Sequence, residues 1–167
     1  MTPRGNPDAP EVFDAPLGVQ LEAFVDQHRQ LVAELLAGVD ESEARSRLVP
    51  SSTTLLGLVK HATFVERVWF EEAVTGEPRS VTGIVTGPEE SFELYPEDTI
   101  DSVLATYRES IASSRSAVAG MSMDAVLTGN RRGPLPLRWI YLHVLRELAQ
   151  HCGHGDILKE QIIALRD

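Results

Sequence analysis

Apolar residues recur at helical spacing in four stretches of this chain, separated by intervals that are polar or rich in glycine and proline. Leu17, Leu21, Phe24, Val25, Leu31, Val32 and Leu35 predict an amphipathic helix over 17–36, closed near Gly38. Pro50 is followed by four hydroxyl residues, which offer caps for a second helix over 53–74, with Gly76 beyond its end. Residues 76–97 read as a long loop. Asp98 or Thr99 then caps a third helix reaching Ala119, with Ile100, Val103, Leu104, Tyr107, Ile111 and Val118 as its apolar members. A second loop, 120–136, leads to a fourth helix that Pro136 can open and that runs to about Leu165. Residues 1–16 carry four prolines and a glycine, and predict an irregular arm ahead of one domain over 17–167.

Four helices of roughly 20 to 28 residues, without a strand pattern or an internal repeat, predict an all-α four-helix bundle. Both long connections exceed what bundle hairpins need, so each either roofs a site or is a plain surface excursion. Gly153 and Gly155 fall inside the fourth helix, where each costs about 1 kcal/mol relative to alanine. A close helix–helix approach there is the expected compensation.

Composition narrows the function. A chain of 167 residues with 43% hydrophobic content suits a single globular core. The net charge of −10 argues against a nucleic-acid surface, which needs clustered lysine and arginine. No apolar run approaches the ~18 residues of a membrane span, and the first residues lack the apolar stretch of a signal peptide. The single cysteine, Cys152, excludes an intrachain disulfide framework. Together these predict a soluble, cytoplasmic protein.

The fourth helix carries the candidate chemistry. At ~100° per residue, His143, Glu147, His151 and His154 fall within a stripe about 80° wide, shared with Trp139, Ile140, Ile157 and Leu158. A carboxylate is almost never fully buried without a partner, and a divalent cation would resolve that problem for carboxylate and imidazoles together. On the second helix His61 sits among Leu58, Val65, Val68 and Trp69. It either bonds a carbonyl as a core histidine or joins the Glu147/His151 pair as a third ligand. The alternative for the whole cluster is a polar network in which Glu147 accepts bonds from histidine or arginine.

Leu58-Val-Lys-His61-Ala-Thr-Phe-Val65-Glu66-Arg67-Val-Trp69-Phe70 resembles the second-helix signature of the DinB-like (YfiT-like) superfamily. More narrowly, it resembles an actinobacterial branch related to mycothiol-dependent transferases and maleylpyruvate isomerase. Leu137-Arg138-Trp139, with His143, Glu147, His151, Gly153, His154 and Asp156, resembles that branch's fourth-helix signature, and the likeness extends over 17–162. The resemblance implies a metal site of one histidine from the second helix and two ligands four apart on the fourth, which maps to His61, Glu147 and His151. Gln150 and Cys152 depart from the arginine and asparagine of that branch, at positions that are not ligands.

His154 and His143, one turn either side, are expected to support the ligands rather than bind the ion, leaving a coordination position open. Two histidines and one carboxylate fit zinc, and also nickel or iron(II). Such a zinc site keeps a formal charge of +1, which a thiolate brings to zero, so the site favours deprotonation of a low-molecular-weight thiol. The resemblance implies the same: mycothiol transferred to an electrophile, or thiol-assisted isomerisation. Two other readings stand beside it. One is a small metal-dependent hydrolase with His154 or Glu72 as base, and the other a non-catalytic, dimeric metal- or small-molecule-binding bundle. A homodimer is expected in any case. Cys152 points away from His151 and is expected to be a buried small hydrophobe. Arg131 and Arg132, in the second loop, either meet an anionic substrate or, as is commoner, solvate the loop.

Overall fold

In the computed structural model, which describes residues 6–166, helices make up most of the chain. In order they are α1 (Pro10–Phe13), α2 (Leu17–Glu34), α3 (Glu41–Ala44) and α4 (Leu55–Glu66). α4 continues through a π-helical stretch, Arg67–Glu72, into a last turn, α5 (Ala73–Thr75). α6 (Arg79–Thr82), a 3-10 turn (Glu90–Phe92) and α7 (Ile100–Ala117) follow. A short hairpin of β1 (Val126–Leu127) and β2 (Leu135–Pro136) leads into α8 (Leu137–Ala164). The fold is the expected all-α bundle. α2 packs along α8, α7 packs along α4, and α4 meets α8 to join the two pairs.

The helix starts follow from their caps. Thr54 accepts a hydrogen bond from Gly57 N–H, and Thr99 and Ser102 form a reciprocal capping box. Gly76 closes the second helix in the left-handed region, at φ 64°. The arm is not wholly irregular: α1 makes one turn and buries Val12, while residues 1–5 lie outside the described residues.

Three apolar members assigned to the first helix are not core residues. Leu17, Phe24 and Leu31 are 56%, 42% and 42% exposed, about 80° round the helix from the buried Leu21, Val25 and Val32. The two glycines of α8 also differ. A side chain at Gly155 would collide with Leu35, so this glycine does mark a close approach, whereas Gly153 faces open space.

A charge network lies within the core. Glu66 is fully buried and takes two hydrogen bonds from Arg29, Nε to Oε1 at 2.8 Å and Nη2 to Oε2 at 2.7 Å. Arg29 also donates to Asp26 at 2.9 Å, and Arg115 reaches the same carboxylate at 2.8 Å.

Candidate metal centre

α4 buries Leu58, Val59, Ala62 and Val65, and His61 rises within that face, 4% exposed. α8 buries Leu137, Tyr141, Val144 and Leu148, and its polar stripe lies beside this core face, about 80° round. The stripe therefore borders the core instead of sharing its middle. Of the apolar residues expected on the stripe, Ile140 and Leu158 are buried, Trp139 is partly buried against the core, and Ile157 is exposed. This edge position leaves the side chains of Glu147 and His151 25% and 12% exposed, within reach of both core and solvent.

There the two helices meet. One nitrogen from each of His61 and His151 and one oxygen of Glu147 all lie within 4.8 Å of one another. The ring of His61 is fixed on two sides. Phe92 stacks on it at 4.1 Å between centroids, and its Nδ1 lies 2.6 Å from Ser91 Oγ. The Ser91 hydroxyl donates its only proton to Pro88 O at 2.5 Å, so it accepts from His61 Nδ1–H. That bond sets the tautomer and leaves the Nε2 lone pair free. His151 has no such anchor: its Nδ1 is buried without a partner among the described residues, and its Nε2 stands 3.8 Å from Glu147 Oε2. Glu147 is oriented by Arg146, whose Nη2 donates to Oε1 at 2.9 Å, while Oε2 faces His151.

Protonation states suit ligation. Burial pushes His61 down to about 3, helped by His151 and opposed by Glu147. Burial likewise lowers His151, against the pull of Glu147. Burial alone would raise Glu147, but the Arg146 hydrogen bond and the neighbouring histidines hold it below the usual carboxylate range. At neutral pH the cluster thus presents two neutral imidazoles and one carboxylate. Together with the unpartnered His151 nitrogen, that donor set fits a divalent ion.

The remaining candidates are placed as follows. His143 is buried, stacked on Trp139 and tilted against Trp69, and its Nδ1 accepts from Arg146 at 2.9 Å. Its Nε2 is 3.7 Å from Glu147 Oε1, and burial pushes it down to about 4. It braces the arginine that orients Glu147. His154 is exposed, with its ring 5.9 Å from that of His151. Cys152 is buried against α2 with Sγ 3.8 Å from His28 O, and burial pushes its thiol up to about 11. Glu72 is committed to Arg79, through contacts of 2.6 and 3.3 Å.

Both long connections roof the site. The first is tied down by cations. Arg67 donates to Thr82 O, Arg79 to Val85 O and Thr86 O, and Lys60 to Glu93 O. The second docks at Gly129, whose N–H donates to Ala73 O at 3.0 Å. A Cβ there would overlap the backbone of Glu72 and Gly76. Between the two loops and the helices lies a cavity of about 340 Å³, with His61 and Glu147 in its wall. Arg131 and Arg132 line it too, although both are also exposed to solvent. Periodicity alone did not reveal Ser91, Phe92 or Arg79, because each arrives through loop docking. Arg146 was in view beside Glu147, but adjacent residues point about 100° apart, and only its length brings it back.

A family model described as mycothiol-S-transferase matches residues 20–164. The match takes in both helices of the site, and the chain belongs to this family. No curated protein matches the chain.

Proposed function

We propose that this member of the mycothiol-S-transferase family holds a divalent ion on His61, Glu147 and His151, and transfers the sulfur of mycothiol or a similar small thiol to an electrophile. The observation that carries this reading is the convergence of the three donor atoms beside a cavity whose wall includes His61 and Glu147. Zinc suits this donor set best, with nickel and iron(II) as its rivals. An ion so held keeps a thiol of ordinary pKa ~8.5 as its thiolate at neutral pH.

The chain's own residues have distinct parts in this scheme. His61 and His151 are already unprotonated at neutral pH, so no proton need leave them for binding. Ser91 and Phe92 hold the His61 ring in the ligating orientation, and Arg146 turns Glu147 Oε2 towards His151. The two roofing loops limit access by water. A hydrolase would need a base near the ion, and Glu72 is occupied by Arg79 while His154 faces solvent.

The same reading places the protein in the cytoplasm, where small thiols stay reduced. Among the described residues no helix is long and apolar enough to cross a membrane. A homodimer is also part of the proposal. Leu17, Phe24 and Leu31 stand seven residues apart on an exposed flank of α2, the spacing of a helix–helix seam. A sedimentation mass of 18.4 kDa at micromolar concentration would refute it.

Cobalt-substituted protein tests the central claim. Mycothiol should add charge-transfer absorption from sulfur ligation, and its S-methyl derivative should not. An identical response to both would put a non-catalytic metal-binding bundle in place of the transferase.

A further inference from the structure

A second cavity, of about 200 Å³, lies between α4, α7 and the first long connection. Gly83, Ile84 and Val85 line it, whereas Thr86 and Pro88 of the same connection line the cavity beside the ligand cluster. Phe64 borders both, and Val103 of α7 adds to the apolar wall. The charged groups around this second cavity are already answered. Lys60 Nζ donates to Asp98 Oδ2 and to Glu93 O, both at 2.7 Å, and Asp98 Oδ2 also accepts Tyr95 N–H. Arg67 donates to Glu71 at 3.2 Å and to Thr82 O at 2.6 Å. The hydroxyls are engaged as well: Thr106 donates to Ser102 O, Ser102 Oγ accepts Thr99 N–H, and Ser91 is held between His61 and Pro88.

An ionic guest would have to break one of these pairs, whereas an uncharged apolar guest leaves all of them standing. An apolar void of about 150 Å³ holds benzene, so this cavity has room for one ring with a small substituent. The cavity also touches the supports of His61. Ser91, in its wall, accepts His61 Nδ1–H at 2.6 Å, and Phe92 of the same 3-10 turn stacks on that ring at 4.1 Å. Phe64 stacks on it too, at 5.8 Å. An empty cavity leaves this turn space to move away from His61, and a guest takes that space. We propose that the cavity binds an uncharged single-ring molecule, and that this binding steadies Ser91 and Phe92 against His61 and so tightens the hold on the ion. The coupling rests on the metal reading of His61, and the binding claim does not.

The first test uses the metal-free full chain. Benzyl alcohol, benzoate and benzylammonium present the same ring with no charge, a negative charge and a positive one. Titration followed by ligand-observed NMR should show saturable binding of benzyl alcohol. Thr106→Phe, at an exposed position on the rim, and Val85→Phe, in the connection, each place a ring in the space and should weaken that binding at least about tenfold. Circular dichroism checks that each variant keeps its helices. Neither ion should show binding that these substitutions remove. No saturable binding of benzyl alcohol, wild-type affinity in both variants, or an ion bound as tightly in the same space would overturn the proposal.

The second test reads the coupling with zinc, in competition with a chelator. Saturating benzyl alcohol should raise zinc affinity at least about threefold, and zinc should raise benzyl alcohol affinity by the same factor, because the coupling is reciprocal. Ser91→Ala removes the bond to His61 and should shrink this gain while benzyl alcohol still binds. Zinc affinity unchanged at saturation, or an undiminished gain in Ser91→Ala, would overturn the coupling. Benzyl alcohol bound in the cavity of a protein that takes up no zinc would support the binding claim and count against the metal centre.

Discussion

Two polar clusters sit in this one bundle, and they differ in whether the protein finishes them. In the first, Glu66 and Arg29 are bound to each other through two hydrogen bonds, and Asp26 and Arg115 extend the set. The Glu66 charge is answered within the chain. In the second, among the described residues, His61 and Glu147 are each anchored on one atom only, and the buried Nδ1 of His151 has no partner. Both clusters draw on α4, the first with α2 and α7 and the second with α8, and both border cavities. Buried polar groups are tolerated when their partners are present, so an incomplete set points outwards, to a ligand.

The contrast is broken most directly by removing one member of each cluster. Glu66→Ala leaves the buried Arg29 charge with Asp26 as its one remaining carboxylate and should destabilise by about 3 kcal/mol in urea unfolding. His61→Leu keeps the volume and removes a polar group with no compensating charge. Metal-free protein should then be as stable as the wild type or more so, while metal retention falls by more than the roughly 10–100-fold typical of supporting residues. Equal destabilisation by the two substitutions would show that the site is a structural network like the other.

A finer test leaves the ligands intact. Ser91→Ala frees the His61 tautomer and should weaken metal affinity by roughly 10–100-fold, with little change in the stability of the metal-free protein. Isothermal titration with zinc measures it, and wild-type affinity would remove Ser91 from the site.

The smallest effect is in pH. His61, His143 and His151 all have lowered folded-state pKa values, so the unfolded chain takes up protons that the folded one refuses. Their contribution is complete above pH ~6.5 and is lost as pH falls towards the folded values of about 3 and 4. The melting temperature of metal-free protein should fall between pH ~6.5 and ~4, and His61→Leu should flatten that slope. An identical slope in the variant would mean that His61 is not the group responsible.

Much of the bundle was legible in the sequence because helices declare themselves locally. The period, the caps at Thr54 and Thr99 and the stop at Gly76 are all short-range signals. The convergence of His61 with Glu147 and His151 was legible for a related reason, since each lay near the inner face of a long helix. Its outward aspect was not, because a helical wheel locates a stripe without saying where the core stripe ends. The Arg29–Glu66 pair bridges 37 residues and has no periodic signature. A signal was present nonetheless: Glu66 is a carboxylate inside the apolar run from Leu55 to Phe70, and its charge had to go somewhere. The hairpin of β1 and β2 was missed because two-residue strands carry no alternation to read.

The π-helical stretch at Arg67–Glu72 acts as a phase adjuster for everything after it. A π turn holds more residues than an α turn, so the stretch takes up one residue beyond what ordinary helix needs between the same two ends. Glu72 still meets Arg79, and the Ala73 carbonyl still meets Gly129, across that extra residue. Loss of one residue here can be met by relaxation to ordinary helix, which leaves later positions facing the same way. A change of length that the stretch did not absorb would turn them by about 100° and part the roof from the wall.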